Sequence, residues 1–157
     1  QIDADAQHDP ADIPAFLSAA RRTPRGLIVG LPRFDASAPL ARRYGRHATT
    51  VWVWINTLSR YGRDARCGYR GYPVDAVLAL ANRVRLGARM EFDPEVLVRL
   101  VWEGVPVVTV PIRVTYGPGT VSHFRLVRDN LRISYMHARL FFGMLRRVPR
   151  LLGSRNS

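Results

Sequence analysis

The sequence predicts a layered α/β fold, and three observations carry that expectation. Short β-branched apolar runs between glycines or prolines alternate with longer helical patterns. Helix starts are marked by Asp-Pro pairs, and helix stops by glycine or proline. The 157 residues, 47% hydrophobic, suffice for one domain with a substantial core.

In chain order, Ile2 to Asp5 reads as the end of a buried strand. Asp9-Pro10 follows as a helix start, with Asp as the N-cap and Pro in the first turn. That helix runs to about Arg22 and stops before Pro24 and Gly26. "GLIVG", Gly26 to Gly30, is a buried strand, and Leu31 to Pro39 a loop. Leu40 to about Tyr61 is helical in composition, although its "VWVWI" stretch also suits a strand. Gly62 to Pro73 is a glycine-rich polar loop, a common carrier of function. Val74 to Arg85 and Asp93 to Glu103 are helices, the second capped by Asp93-Pro94 and ended by Gly104. Val105 to Tyr116 is a strand in which Pro111 implies a bend or a sheet edge. Gly117 to Phe124 is a loop, and Arg125 to Leu152 one long final helix.

Composition narrows the chemistry. Net charge is +12, which favours an acidic partner: nucleic acid, anionic lipid or a phosphorylated substrate. Every basic residue is arginine. Without lysine there is no Walker-type phosphate loop and no Schiff-base chemistry. The single cysteine, Cys67, excludes an internal disulfide and a multi-cysteine zinc site; its expected role is packing. No G-x-S-x-G and no H-E-x-x-H occurs, and no apolar run approaches the roughly 18 residues of a membrane span.

Asp3 and Asp5 are the first candidates for a site. Two apart on a strand, they point to the same side and repel unless something cationic joins them. Magnesium or manganese takes one or two carboxylates and completes its shell with water and substrate phosphate. Gln7 and His8 follow within reach.

The stretch "DADAQHDPADIP" resembles the D-x-D-x-Q-H-x-P signature of family 2 glycosyltransferases, close to the dolichol- and polyprenol-phosphate sugar transferases. "LIVGLPRF" is similar to that family's strand and G-x-R-[YF], "LARRYGR" to its arginine-rich segment, and "DARCGYR" to its D-x-x-[CS]-G-[FY]-R loop. "MEFDPEVLVRLVWEGVPVVTVPI" resembles its helix with a central Glu and the strand ending in V-P-I. The resemblance implies a GT-A fold, a Rossmann-like α/β domain, and inverting, metal-dependent transfer from a nucleotide-sugar to a lipid or lipid-linked acceptor. It implies a divalent cation, Mg2+ or Mn2+, on Asp3, Asp5 and Gln7, acting as a Lewis acid on the leaving diphosphate.

It further implies donor phosphate contacts at Arg33, Arg42 and Arg43, and a catalytic loop with Asp64 and Arg70. Asp64 would be the base for a hydroxyl acceptor; a phosphate acceptor, already ionised, needs none. Glu95, Ser122 and His123 would lie on the acceptor side. The segment after V-P-I departs from the dolichol-phosphate pattern: His123 stands where a lysine is expected, and Tyr116 near the expected arginine.

On a wheel of about 100° per residue, Arg125, Arg128, Arg132, Arg139, Arg146, Arg147 and Arg150 share an arc of about 100°, with apolar residues over most of the rest. This pattern suits an anionic membrane surface or a partner domain. "SHFRLVRDNLRISYMHARLFFGML" also resembles the linker after bacterial family 2 transferase domains associated with lipid acyltransferases, a cell-envelope setting. Residues 1–124 then read as the C-terminal part of a GT-A domain and 125–157 as a basic helix and tail, peripheral at the cytoplasmic face of the membrane. The family's nucleotide-binding half, on the order of a hundred residues in three strand–helix units, would precede Gln1, and the chain alone would be inactive. The alternative that charge leaves open is a non-catalytic module binding nucleic acid or anionic lipid.

Overall fold

The computed structural model describes residues 1–4, 7–33, 40–59, 64–115 and 125–153; the side chains of residues 40–46 and 150 lie outside the description. The architecture is mixed α/β. A 3-10 turn, Pro10–Asp12, leads into α1 (Ile13–Arg22). Then come β1 (Leu27–Arg33), α2 (Leu40–Thr57), β2 (Arg70–Gly71), α3 (Val74–Arg83), α4 (Phe92–Trp102), β3 (Val107–Arg113), α5 (Leu126–Leu145) and α6 (Val148–Gly153).

Three strands form one sheet in the order β2-β1-β3. β1 and β3 run parallel, from Leu27 beside Val107 to Arg33 beside Arg113, and β2 is antiparallel to β1. Alternation along β1 splits the core in two. Leu27 and Val29 pack with Val53 of α2, Leu97 and Leu100 of α4, and Met136 and Leu140 of α5. Ile28 faces the other way, with Phe16 and Ala19 of α1, Cys67, Tyr69 and Ile112. Each such large apolar side chain contributes roughly 1.5–3 kcal/mol relative to exposure. The result is a sheet with α1 on one face and α2, α4 and α5 on the other.

Local chemistry explains most boundaries. The Asp9 side chain accepts from the Ala11 N–H at 2.8 Å, with Pro10 at the start of the turn, as the sequence predicts. Gly104 takes φ +78° and ends the α4 turn. "VWVWI" is helical, because Val53 has a place in the core on a helical period. β3 tolerates Pro111 because only β1 pairs with it as a strand among the described residues.

Three expectations are corrected. Residues 1–4 are exposed, Ile2 by 41%, and form no buried strand; Gln1 instead exchanges two backbone hydrogen bonds with Arg70 of β2. Asp93-Pro94 does not cap α4, which begins at Phe92 with Glu91 at the cap position. Asp93 is used otherwise: its carbonyl accepts from Arg70 and its carboxylate from the Tyr72 hydroxyl at 2.6 Å. The final helix is two helices. Pro149 has no N–H to offer Leu145 and its ring crowds that carbonyl, so α5 ends and α6 restarts with Pro149 in its first turn.

The basic face of α5 and of the turn that follows it is also used differently. Arg139 binds Glu95, Arg132 lies 4.0 Å from Glu91, and Arg147 stacks 4.6 Å above the Trp102 ring. These arginines hold the helix to its own domain. No helix among the described residues is long and apolar enough to cross a membrane.

Candidate active site

The carboxyl ends of β1 and β3 and the loop before β2 meet the first segment of the chain. From its pairing with Arg70, that segment passes the loop and reaches β3. There His8 bridges Val114 and the Gln7 carbonyl accepts from the Thr115 N–H at 3.0 Å. Asp12 accepts the Arg113 N–H at 3.0 Å and fixes the start of α1 to the same place. Ligands of open α/β sheets gather at this end of the strands.

The loop of residues 64–69 is buried, unlike most polar loops, and Arg70 explains how. Its guanidinium, 1% exposed, donates to three backbone carbonyls: Cys67 at 2.8 Å, Ala65 at 2.7 Å and Asp93 at 2.8 Å. It satisfies carbonyls that burial would otherwise leave without water. Asp64 is buried as well and accepts the Arg66 N–H at 3.0 Å, closing an Asx turn. Gly30 lets the loop lie on β1, since a Cβ there would meet Cys67 Sγ at 3.0 Å and the Tyr69 carbonyl at 3.1 Å.

Gly68 serves a closer approach. A Cβ on it would collide with the Asp3 carboxylate, which sits directly over the glycine. The Asp3 side chain stays about half exposed, while His8 is 5% exposed with its Nε2 3.9 Å from Asp3 Oδ2. The imidazole packs edge-on against Tyr69, at 5.4 Å between centroids, and Tyr69 stacks on Phe16 at 4.2 Å. Two buried polar atoms here have no hydrogen-bond partner: His8 Nδ1 and the Tyr69 hydroxyl. Burial, with Asp12 and Asp9 nearby, raises the Tyr69 pKa, so the phenol stays neutral.

Arg33 and Arg113 are register partners on parallel strands, so they project from the same face at the sheet's carboxyl end, both exposed. By the alternation along β1, this is the face of Leu27 and Val29, opposite the one on which Cys67 and Tyr69 pack. The arrangement thus offers a carboxylate with an imidazole beside it, and a basic pair at the same end of the sheet.

The expected site residues divide accordingly. Asp3 and Gln7 come to this end together with the loop that carries Asp64 and Arg70, whereas Arg33 ends β1 on the opposite face of the sheet. Asp5, Ser122 and His123 lie outside the described residues, as do the side chains of Arg42, Arg43 and Arg150. Glu95 does not face an acceptor cleft. It is fully buried, engaged by Arg99 at 2.9 Å, by Arg139 and by the Gly87 N–H at 3.1 Å. Arg125 and Arg128 are exposed; Arg125 starts α5, its N–H donating to Asp129 at 2.8 Å. Sequence reasoning gave no role to Tyr69, Asp12 or Arg113. Tyr69 was the detectable one, an aromatic after a glycine in a polar loop.

For a divalent cation, the Asp3 carboxylate is a suitable oxygen donor, half exposed and so open to a magnesium or manganese ion whose shell water and phosphate complete. Among the described residues no group of three ligating side chains is assembled. No protein-family model, curated protein or solved structure matches this chain. The resemblance to family 2 glycosyltransferases therefore rests on the motif residues of the sequence.

Proposed function

We propose that this chain carries the metal and acceptor side of an inverting GT-A-type glycosyltransferase, moving a sugar from a nucleotide-sugar to a lipid or lipid-linked acceptor. One observation carries the reading: stretches distant in sequence, each resembling the family at its own motif, touch one another at the carboxyl end of the sheet. Asp3 lies on Gly68, His8 on Tyr69, and Gln1 pairs with Arg70.

In this reading Asp3 and Asp5, with Gln7, hold Mg2+ or Mn2+, which when bound neutralises the departing nucleotide diphosphate. Arg33 is the donor-phosphate contact that the family resemblance implies, reached across the end of the strand rather than from the face that holds Asp3. Asp64, held by the Arg66 N–H, takes the proton of a hydroxyl acceptor or orients a phosphate one. Arg70 is a positioning residue, since its guanidinium is spent on backbone carbonyls, two in the loop and that of Asp93 in α4.

The test is manganese binding by this polypeptide, read from the electron paramagnetic resonance signal of free Mn2+, without and with a nucleotide-diphosphate sugar. Asp3→Asn and Asp5→Asn should each weaken binding at least about tenfold, the effect that even outer-shell partners have on metal affinity. Unchanged affinity in both variants rejects the reading.

A further inference from the structure

The outer surface of α5 carries an apolar stripe beside its exposed arginines. Val127, Leu131, Tyr135, Phe142 and Leu145 recur at helical spacing on one side, exposed by between 50% and 72%. At about 100° per residue, Arg128, Arg139 and Arg146 line one flank of this stripe. The stripe borders a cavity of about 450 Å3 between α4 and α5.

Four arginines line that cavity: Arg99, Arg139, Arg146 and Arg147. Trp102, Tyr135 and Phe142 supply its aromatic surface, and Trp102 is seated against Gly143, where a Cβ would meet its ring at 2.9 Å. The carboxylate engaging these arginines is Glu95, shared by Arg99 and Arg139, and no acidic residue lines the cavity itself. One negative charge against four positive leaves three in excess. Planar guanidinium groups around an aromatic floor suit a phosphate attached to an apolar body.

We infer that this face seats on an anionic phospholipid bilayer, with a headgroup phosphate in the arginine-lined cavity and the α5 stripe in the acyl boundary. A second copy of the chain is a poor occupant, because its own arginines would meet these. The arrangement is that of an interfacial helix, apolar side inserted and arginines at headgroup level. It uses none of the residues assigned to sugar transfer, so it stands or falls apart from that reading.

The experiment is flotation of the chain with vesicles of phosphatidylcholine alone and of phosphatidylcholine mixed with phosphatidylglycerol, beside titration with soluble glycerol phosphate. Binding to the mixed vesicles is expected, with little to the neutral ones. Arg146→Gln should weaken it about fivefold, the factor for one arginine near an anionic surface. Phe142→Ser and Leu131→Ser, at positions outside the core, should abolish it while leaving the circular dichroism spectrum unchanged. Equal binding by all variants overturns the inference. So does glycerol phosphate binding with no vesicle binding, which would make the cavity a site for a free phosphate compound.

Discussion

Lowering the pH should unfasten α5 through a single histidine. His137 sits on the buried face of α5, 2% exposed, with Trp52 stacked at 5.8 Å. Its Nδ1 lies 3.3 Å from the Asn56 amide nitrogen, and its Nε2 has no hydrogen-bond partner. Burial lowers its pKa from 6.5 to about 4. The unfolded chain therefore takes up the proton first. Stability from this group is complete above pH 6.5 and falls as the pH drops towards about 4. A shift of this size is worth roughly 3 kcal/mol between pH 7 and pH 4, a large share of the stability of a domain this size. Urea titrations at pH 7, 5.5 and 4 measure it, with the non-titrating His137→Gln variant as reference. Carboxylates elsewhere titrate in both proteins and cancel in the difference. The wild type should lose about 3 kcal/mol more than the variant over this range, or roughly 1.5 M in midpoint at an m-value near 2 kcal/mol/M. Parallel pH profiles would refute the reasoning, because a buried neutral imidazole cannot leave stability indifferent to its own protonation.

Two further outcomes follow from the packing. Glu95→Gln leaves Arg99 and Arg139 without their carboxylate and should cost about 2–3 kcal/mol, at the low end for a broken buried pair because Arg139 is partly solvated. Thermal unfolding should then fall by about 4–12 °C for a chain of this length, and a change below about 1 °C would mean the pair is dispensable. Gly68→Ala places a methyl group where the Asp3 carboxylate lies. It should weaken manganese binding as far as Asp3→Asn does, at a stability cost of about 1 kcal/mol; unchanged manganese affinity would show that the position of Asp3 does not matter to the metal.

Local signals made much of the secondary structure legible. The Asp9-Pro10 start, the Gly104 stop and the apolar run of β1 each act within a few residues, and each appears where its chemistry places it. Errors came where distant groups decide. Asp93-Pro94 looks like a cap, but Arg70 and Tyr72, more than twenty residues upstream, claim the aspartate. The arginines of α5 look like a face for an outside partner, but Glu91 and Glu95 on the preceding helix turn some of them inward. That inward turn leaves Leu131, Tyr135 and Phe142 outside, which no wheel drawn on α5 alone could show. Of the candidate site, the sequence showed the residue types, an aspartate pair two apart and a glycine loop. Their assembly was not legible: the seat of Asp3 on Gly68 depends on a contact across more than sixty positions.

Pro111 has a consequence for how this protein avoids its own kind. Along β3, N–H groups alternate between β1 and the outside, and those of Thr109, Pro111, Arg113 and Thr115 share the outer side. Asp12 holds the Arg113 N–H, Gln7 holds that of Thr115, and proline has none to give. A strand from a neighbouring molecule that tried to extend the sheet would find a donor at Thr109 and then three consecutive outward positions closed to it. The segment that delivers Asp3 and His8 to the site therefore doubles as a guard rail, closing the carboxyl half of β3 to intermolecular pairing.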